Sequence, residues 1–372
     1  MVDNKYRFGI EEEYFLADAS SRSTPSSLVA RRFHAIARTH FGASHEVLQS
    51  QVEVSTPPGT DFATAREQLL ALRAGLAAIG REMGLLVFAA GTHPLARWSD
   101  QTISEGERYA RMLAEYGILA ARNLVCALHV HVEVPDPGRR VDLMRRMLPY
   151  MPIFLALSAS SPFWQGQRTG LAAYRMAAYR EWPRSGLPDL LENQEDYDHF
   201  LRAMIGSGAI PDASYLWWTL RPSMRFPTLE LRVCDSCMRV EDSLTIAALY
   251  RCLLRLLDRR PDIHARLTGV SRAIANENFW LVQREGIHAS LIDAEACTRV
   301  TLVQRLQDLA GLVAEDAAAL GCEREVAGLD RIVTTGTGAD QQIATYEHGR
   351  RHGLDNEAAL RDVVDALAAT SR

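Results

Sequence analysis

Five stretches of this chain, near residues 6–16, 45–56, 124–134, 215–221 and 227–235, alternate residue by residue between two kinds of side chain. A period of two sorts side chains onto the two faces of a β-strand, so these stretches must become strands with two unlike surfaces. A short apolar run at 84–90 marks a sixth strand. Helical periodicity appears between them, near 62–83, 105–122, 140–158, 242–259, 299–320 and 356–369. Pro135, Pro137 and Gly138 break strand from helix, and the stretch 160–212, rich in Gly, Pro and aromatics, reads as long excursions beside a site. Strands that come singly between helices, plus one hairpin at 215–235, predict an α+β fold: one curved sheet with helices covering one face.

What each strand would show on its uncovered face is unusual. In 124–134, Leu124, Cys126, Leu128, Val130, Val132 and Val134 share one side, while His129, His131 and Glu133 share the other. In 45–54, Leu48, Val52 and Val54 oppose Gln49, Gln51 and Glu53. In 227–233, Leu229, Leu231 and Val233 oppose Thr228, Glu230 and Arg232, and in 215–221 the polar side carries Tyr215, Trp217, Thr219 and Arg221. The first strand sets Glu11 and Glu13 against Ile10, Glu12, Tyr14 and Leu16. Any one such face is ordinary wet sheet. A set of them rich in Glu, His and Arg is not, because clustered carboxylates repel one another unless cations lie between them. The convergence predicts divalent metal bridged to a phosphorylated ligand, with Mg²⁺ or Mn²⁺ suiting an oxygen-rich set better than zinc.

Charge and composition remove other classes. Lys5 is the only lysine among 41 basic residues, which excludes a lysine-bearing phosphate loop, a kinase-type strand lysine and Schiff-base chemistry. A net charge of −5 leaves no basic stripe for nucleic acid. The six scattered cysteines suit a reduced, cytoplasmic protein, and the Cys234–Cys237 pair, with no second such pair, makes a poor zinc site. No apolar run is long enough to span a membrane, and the N-terminus lacks the apolar region of a signal peptide.

Several short motifs fall in order over most of the chain: G-I-E-x-E at Gly9–Glu13, Glu53, G-T-H-P at Gly91–Pro94, E-R-Y at Glu107–Tyr109, H-V-H at His129–His131, R-P-S at Arg221–Ser223 and T-L-E-L-R at Thr228–Arg232. Together they resemble the bacterial glutamate–cysteine ligase type 2 family, the carboxylate–amine ligases. The resemblance implies a glutamine-synthetase/guanido-kinase-like fold, a curved and mostly antiparallel six-stranded sheet with helices on its convex face, in one catalytic domain over residues 1–372. It implies ATP-dependent amide formation through an acyl phosphate, the γ-carboxylate of glutamate being joined to the amine of a second amino acid, typically cysteine. It further implies Glu11, Glu13, Glu53, His129 and Glu230 as metal ligands. Arg232 and His131 would meet nucleotide and reacting groups, Arg221 and Arg225 would contact nucleotide or substrate, and Arg111 would serve the acceptor carboxylate. A homodimer acting on small amino acids is the family-level expectation.

Other residues have weaker claims. Glu12 falls on the opposite face and reads as structural. Glu133, Thr92, His93, Asn278 and Arg284 have open roles, the last two as a candidate wall on the substrate side. Arg225 is equally well a solvated turn residue. Trp217 and Trp218 read as hairpin packing, and Thr335–Asp340 as a helix-capping turn. Two other functions stay open: a metal-dependent hydrolase, since His-x-His on a strand also occurs in barrel amidohydrolases, and a nucleotide-binding member without catalysis.

Overall fold

The computed structural model of this chain describes residues 5–371. The strands of its main sheet are β1 (Phe8–Asp18), β2 (Ser44–His45), β3 (Gln51–Ser55), β4 (Leu85–Phe88), β5 (Ala127–Glu133), β6 (Leu220–Pro222) and β7 (Thr228–Asp235). They form one antiparallel sheet in the order β6-β7-β5-β1-β3-β2, with β4 pairing the last residues of β1. The architecture is α+β, as expected.

The sheet has seven strands, not six. The run 45–56 is not one strand, because residues 46–50 spend their backbone groups elsewhere. Gln49 N–H donates to Thr102 O, Ser104 N–H to Val47 O, and Leu48 bridges Ile103. In the hairpin, Trp217–Trp218 pairs in parallel with Ser185–Gly186, so only Leu220–Pro222 reaches the large sheet.

One face of the sheet is dry. Leu128, Val130 and Val132 of β5 and Ile10 of β1 are fully buried, each contributing about 1.5–3 kcal/mol by leaving water. Helices α1 (Ser27–Phe41), α2 (Phe62–Glu82) and α5 (Val240–Arg259) supply much of the cover. Helix α2 starts where the Asp61 side chain accepts the Thr64 N–H, and it buries the stripe Phe62, Ala65, Leu69, Arg73, Leu76. Glu12 points into this layer. Its carboxylate accepts from Arg73 at 2.6 and 3.0 Å and from Ser243 at 2.6 Å, and also from the Tyr14 hydroxyl.

Two helices flank the other face: α3 (Glu107–Tyr116) and α4 (Tyr174–Tyr179). A further helix, α6 (Gly269–Glu285), lies in a stretch where the apolar spacing is too interrupted to announce one, as does Gly338–Arg351; α1, with Val29, Phe33, Ala37 and Phe41 at helical spacing, is a further helix beyond the six expected. The turn at 335–340 is a cap, as expected: Gly336 ends one helix, and Thr337 with Asp340 forms a capping box for the next. Among the described residues no helix is long and apolar enough to cross a membrane.

Candidate active site

Strand register assembles the site. Glu13 stands opposite Glu53, and Glu11 opposite His129. His131 stands opposite Glu230, and Glu230 in turn opposite Arg221. The expected polar faces of β1, β3, β5, β6 and β7 thus form one surface, on the side away from α2 and α5. A bulge in the β7–β5 ladder falls between Leu231 and Cys234, at Arg232 and Val233. Such an extra residue re-aims neighbouring side chains and increases the local twist.

This surface floors a cavity of about 470 Å³. Glu11, Glu13, Glu53, His129, His131, Glu230, Arg221, Arg225 and Arg232 all line it. Glu11 reaches His129 Nδ1 and His131 Nε2 at 3.4 Å each, and Glu13 lies 3.8 Å from His129 Nε2. Arg221 holds Glu230 through Nε at 2.7 Å and Nη2 at 3.2 Å, while Arg232 Nη1 also contacts that carboxylate.

The electrostatics divide the cavity. At one end cations dominate. Burial pushes Glu230 up, but Arg232 and Arg221 outweigh it and hold the carboxyl well below the usual range. Burial also works against ionising Glu11, and the two histidines overcome it, so Glu11 too sits low. At the other end carboxylates face each other. Burial, then Glu46, Glu11 and Glu13, push Glu53 well above its ordinary value. Burial and Glu13 push Glu46 up to about 8. His129 is lowered by burial and by Arg232, and its buried Nε2 has no hydrogen-bond partner. His131 is raised: burial opposes its proton, yet Glu11 and Glu230 prevail.

Three sets of donor atoms lie within 4.8 Å of one another: Glu11, His131 and Glu230; Glu11, Glu53 and His129; Glu13, Glu46 and Glu53. Glu46 and Glu53, carboxylates pushed above their ordinary values, further hard oxygen donors and a buried unpartnered imidazole nitrogen fit a divalent cation site.

Glu46 is the residue the alternation conceals. Counted in phase with Leu48 and Val52 it belongs to the apolar side. The break at 46–50 shifts the phase and turns it into the cavity. A lone carboxylate in the apolar phase of an alternating run was the available signal.

On α3 the cavity takes Arg108, Tyr109 and Met112. Arg111 is exposed and does not line the cavity: at about 100° per residue it stands about 60° from Arg108 on the side away from Met112 and Tyr109. Tyr109 donates to His45 O at 2.6 Å, fastening α3 beside Glu46. From α4 come the buried Arg175 and the half-buried Tyr179, inside the stretch 160–212 expected to border a site.

Other candidates fall outside. His93 Nδ1 accepts the N–H groups of Leu95 and Ala96 at 3.2 and 3.0 Å, and burial pushes the ring down to about 3. Thr92 donates to Phe163 O, and Glu133 accepts the Arg7 N–H. Asn278 pairs with the backbone of Ile292, and Arg284 with Glu285, so no residue of 276–290 forms a cavity wall. Trp218 packs on Phe200, as expected of hairpin packing, but Trp217, against Tyr116 and Trp182, also lines the cavity. Arg225, exposed on the turn, lines the mouth. Cys234 and Cys237 are buried, with burial raising both thiols, and neither joins a group of metal-ligating side chains among the described residues.

Residues 7–365 match the model of glutamate-cysteine ligase family 2. A Bradyrhizobium diazoefficiens protein provisionally named glutamate–cysteine ligase 2 is 45% identical over 96% of this chain and 83% of its own length. A Rhodospirillum rubrum protein with the same provisional name is 39% identical over 99% of this chain and 96% of its own. Among solved structures, a glutamate–cysteine ligase from Francisella tularensis in complex with AMP superposes with a TM-score of 0.72 at 14% identity, covering 100% of this chain and 90% of that one. A bifunctional glutathione synthetase from Pasteurella multocida gives 0.69 at 14% identity, covering 99% of this chain and 53% of that one. At such identities these two show a shared fold.

Proposed function

The chain belongs to glutamate–cysteine ligase family 2, an ATP-dependent carbon–nitrogen ligase, and on that premise we propose that it joins the γ-carboxylate of glutamate to an amino acid amine through an acyl phosphate. The observation that carries this reading is the gathering of Glu11, Glu13, Glu46, Glu53, His129, His131, Glu230 and Arg232 on one cavity floor.

The chemistry needs no covalent nucleophile from the protein. It needs two substrates and a triphosphate held in line, with developing charge stabilised. Arg232, Arg221 and His131 form the cationic end and would meet the phosphates of ATP, with Arg225 at the mouth. The carboxylates Glu11, Glu13, Glu46, Glu53 and Glu230, with His129, would hold Mg²⁺ or Mn²⁺. Such ions offset the clustered negative charge of carboxylates and phosphates. Arg108 and Arg175, cationic groups of the cavity wall outside the Glu230 pairing, would take substrate carboxylates, for which a guanidinium offers a two-pronged donor.

The test is a panel of acid and amine pairs with ATP and Mg²⁺ or Mn²⁺, read as ADP and phosphate. Release only when both acid and amine are present supports the reading. Nucleotide binding without turnover across the panel, or amide hydrolysis without ATP, overturns it.

A further inference from the structure

Two sequence features have no part in the mechanism so far: Gly91 of the G-T-H-P motif and Asp235 between Cys234 and Cys237. They touch each other, and Asp235 lies beside Arg175. We propose that Asp235 is a positioning residue that fixes Arg175 in the cavity wall, and that position 91 is glycine to leave Asp235 room for that task. The proposal rests on the reading of Arg175 as an anchor for a substrate carboxylate.

Asp235 is fully buried at the end of β7. Its Oδ2 accepts the Ser160 N–H at 3.0 Å and the Ser161 hydroxyl at 2.6 Å. The Ser161 oxygen accepts the Arg175 N–H at 2.9 Å, so the carboxylate holds the Arg175 backbone through one hydroxyl. The other oxygen, Oδ1, has no hydrogen-bond partner and lies 3.9 Å from Arg175 Nη1. That guanidinium is 2% exposed by residue, and it donates to Val233 O and Arg232 O at 3.3 Å each. Its Nε has no partner in the protein. Arg175 is thus gripped at both ends by the segment that carries Arg232, and among the described residues its one buried counter-charge at this distance is Asp235. Burying a guanidinium without such a partner is costly, so the carboxylate decides where the group rests.

Gly91 sets the space. A Cβ there would lie 2.5 Å from Asp235 Oδ2 and Cγ. Its backbone is committed too: Gly91 N–H donates to Ser160 and Gly91 O accepts the Cys126 N–H. A methyl group at 91 must therefore displace the carboxylate rather than the chain.

Asp235→Asn removes the charge and keeps an oxygen for Ser160 and Ser161. Gly91→Ala keeps the charge and moves it. The two variants perturb Arg175 by different routes and should give one signature. KM for the amino acid whose carboxylate Arg175 holds rises about tenfold, while KM for ATP stays within about twofold of wild type. In ¹⁵N spectra of arginine side chains, the Arg175 signal, identified by its loss in Arg175→Lys, shifts or broadens in both variants. An Arg175 signal at the wild-type position in both variants overturns the proposal, whether or not turnover has been found. A moved signal with unchanged KM for every amino acid leaves Asp235 as the positioning residue and refutes Arg175 as the anchor.

Discussion

Glu13 and Glu53 stand directly opposite each other across the β1–β3 ladder, where like charges weaken a sheet. Glu230 is the reverse case, a carboxylate between Arg221 and Arg232. Their glutamine variants should therefore diverge in stability while agreeing in activity. Glu53→Gln should unfold at higher denaturant than wild type when the protein is metal-free. Glu230→Gln should unfold at lower denaturant, by about 3 kcal/mol, since it strands two arginines. Both should lose turnover by about 100-fold or more. Denaturant midpoints with ADP release check this, and full turnover in either variant removes that residue from the site.

The carboxylate end also predicts a response to pH and metal. Glu46 sits at about 8 in the folded protein against an ordinary 4.5. Across that window the folded chain holds a proton that the unfolded chain releases. Metal-free stability should accordingly fall as pH rises from 4.5 through about 8. Glu46→Gln should flatten the fall, and added Mg²⁺ or Mn²⁺ should recover most of it at the alkaline end. Melting curves of chelator-treated protein provide the measurement. An unchanged slope in the variant would remove Glu46 as its source.

Much of this site is legible without coordinates, and the gaps have causes. Glu11, His129, Glu230 and Arg232 are readable because each lies within an alternating strand, where the side of the sheet follows from counting. Glu46 is not, because the backbone between His45 and Gln51 turns to bond with residues 102–104, and counting fails across a turn. Arg175 and Tyr179 sit on a six-residue helix in an irregular stretch, too short for a period to register. The seventh strand escapes notice for the same reason as Glu46. Asn278 and Arg284 lay in a stretch expected to wall the substrate side, but tertiary packing makes it a helix outside the cavity.

The orientation of α3 separates two arginines one turn apart. Arg108 lines the cavity with Tyr109 and Met112, while Arg111 is exposed beside that stripe. Arg108→Ala should raise KM for an amino acid substrate by about tenfold, the scale of one lost charged contact. Arg111→Ala should leave turnover within about twofold and stability within about 0.5 kcal/mol, as exposed substitutions usually do. Steady-state kinetics of the two variants side by side would decide it. A large loss in Arg111→Ala alone would contradict this orientation of the helix.

Behind the site, the strand bearing Glu11 and Glu13 is clamped by its middle residue. Glu12 and Arg73 are both fully buried, their side chains 0% exposed. Burial pushes Glu12 up, Arg73 pulls it further down, and the net is a carboxyl below its ordinary 4.5. Its contribution to stability is thus complete above that value and fades as pH falls through the folded pKa. Arg73→Met leaves a buried carboxylate with only the hydroxyls of Tyr14 and Ser243, and should cost about 3–5 kcal/mol. Adding Glu12→Gln to that variant removes the stranded charge and should restore part of the loss. Chemical denaturation of the two single variants and the double variant measures the coupling, and strictly additive losses would show that Glu12 and Arg73 do not act as a pair.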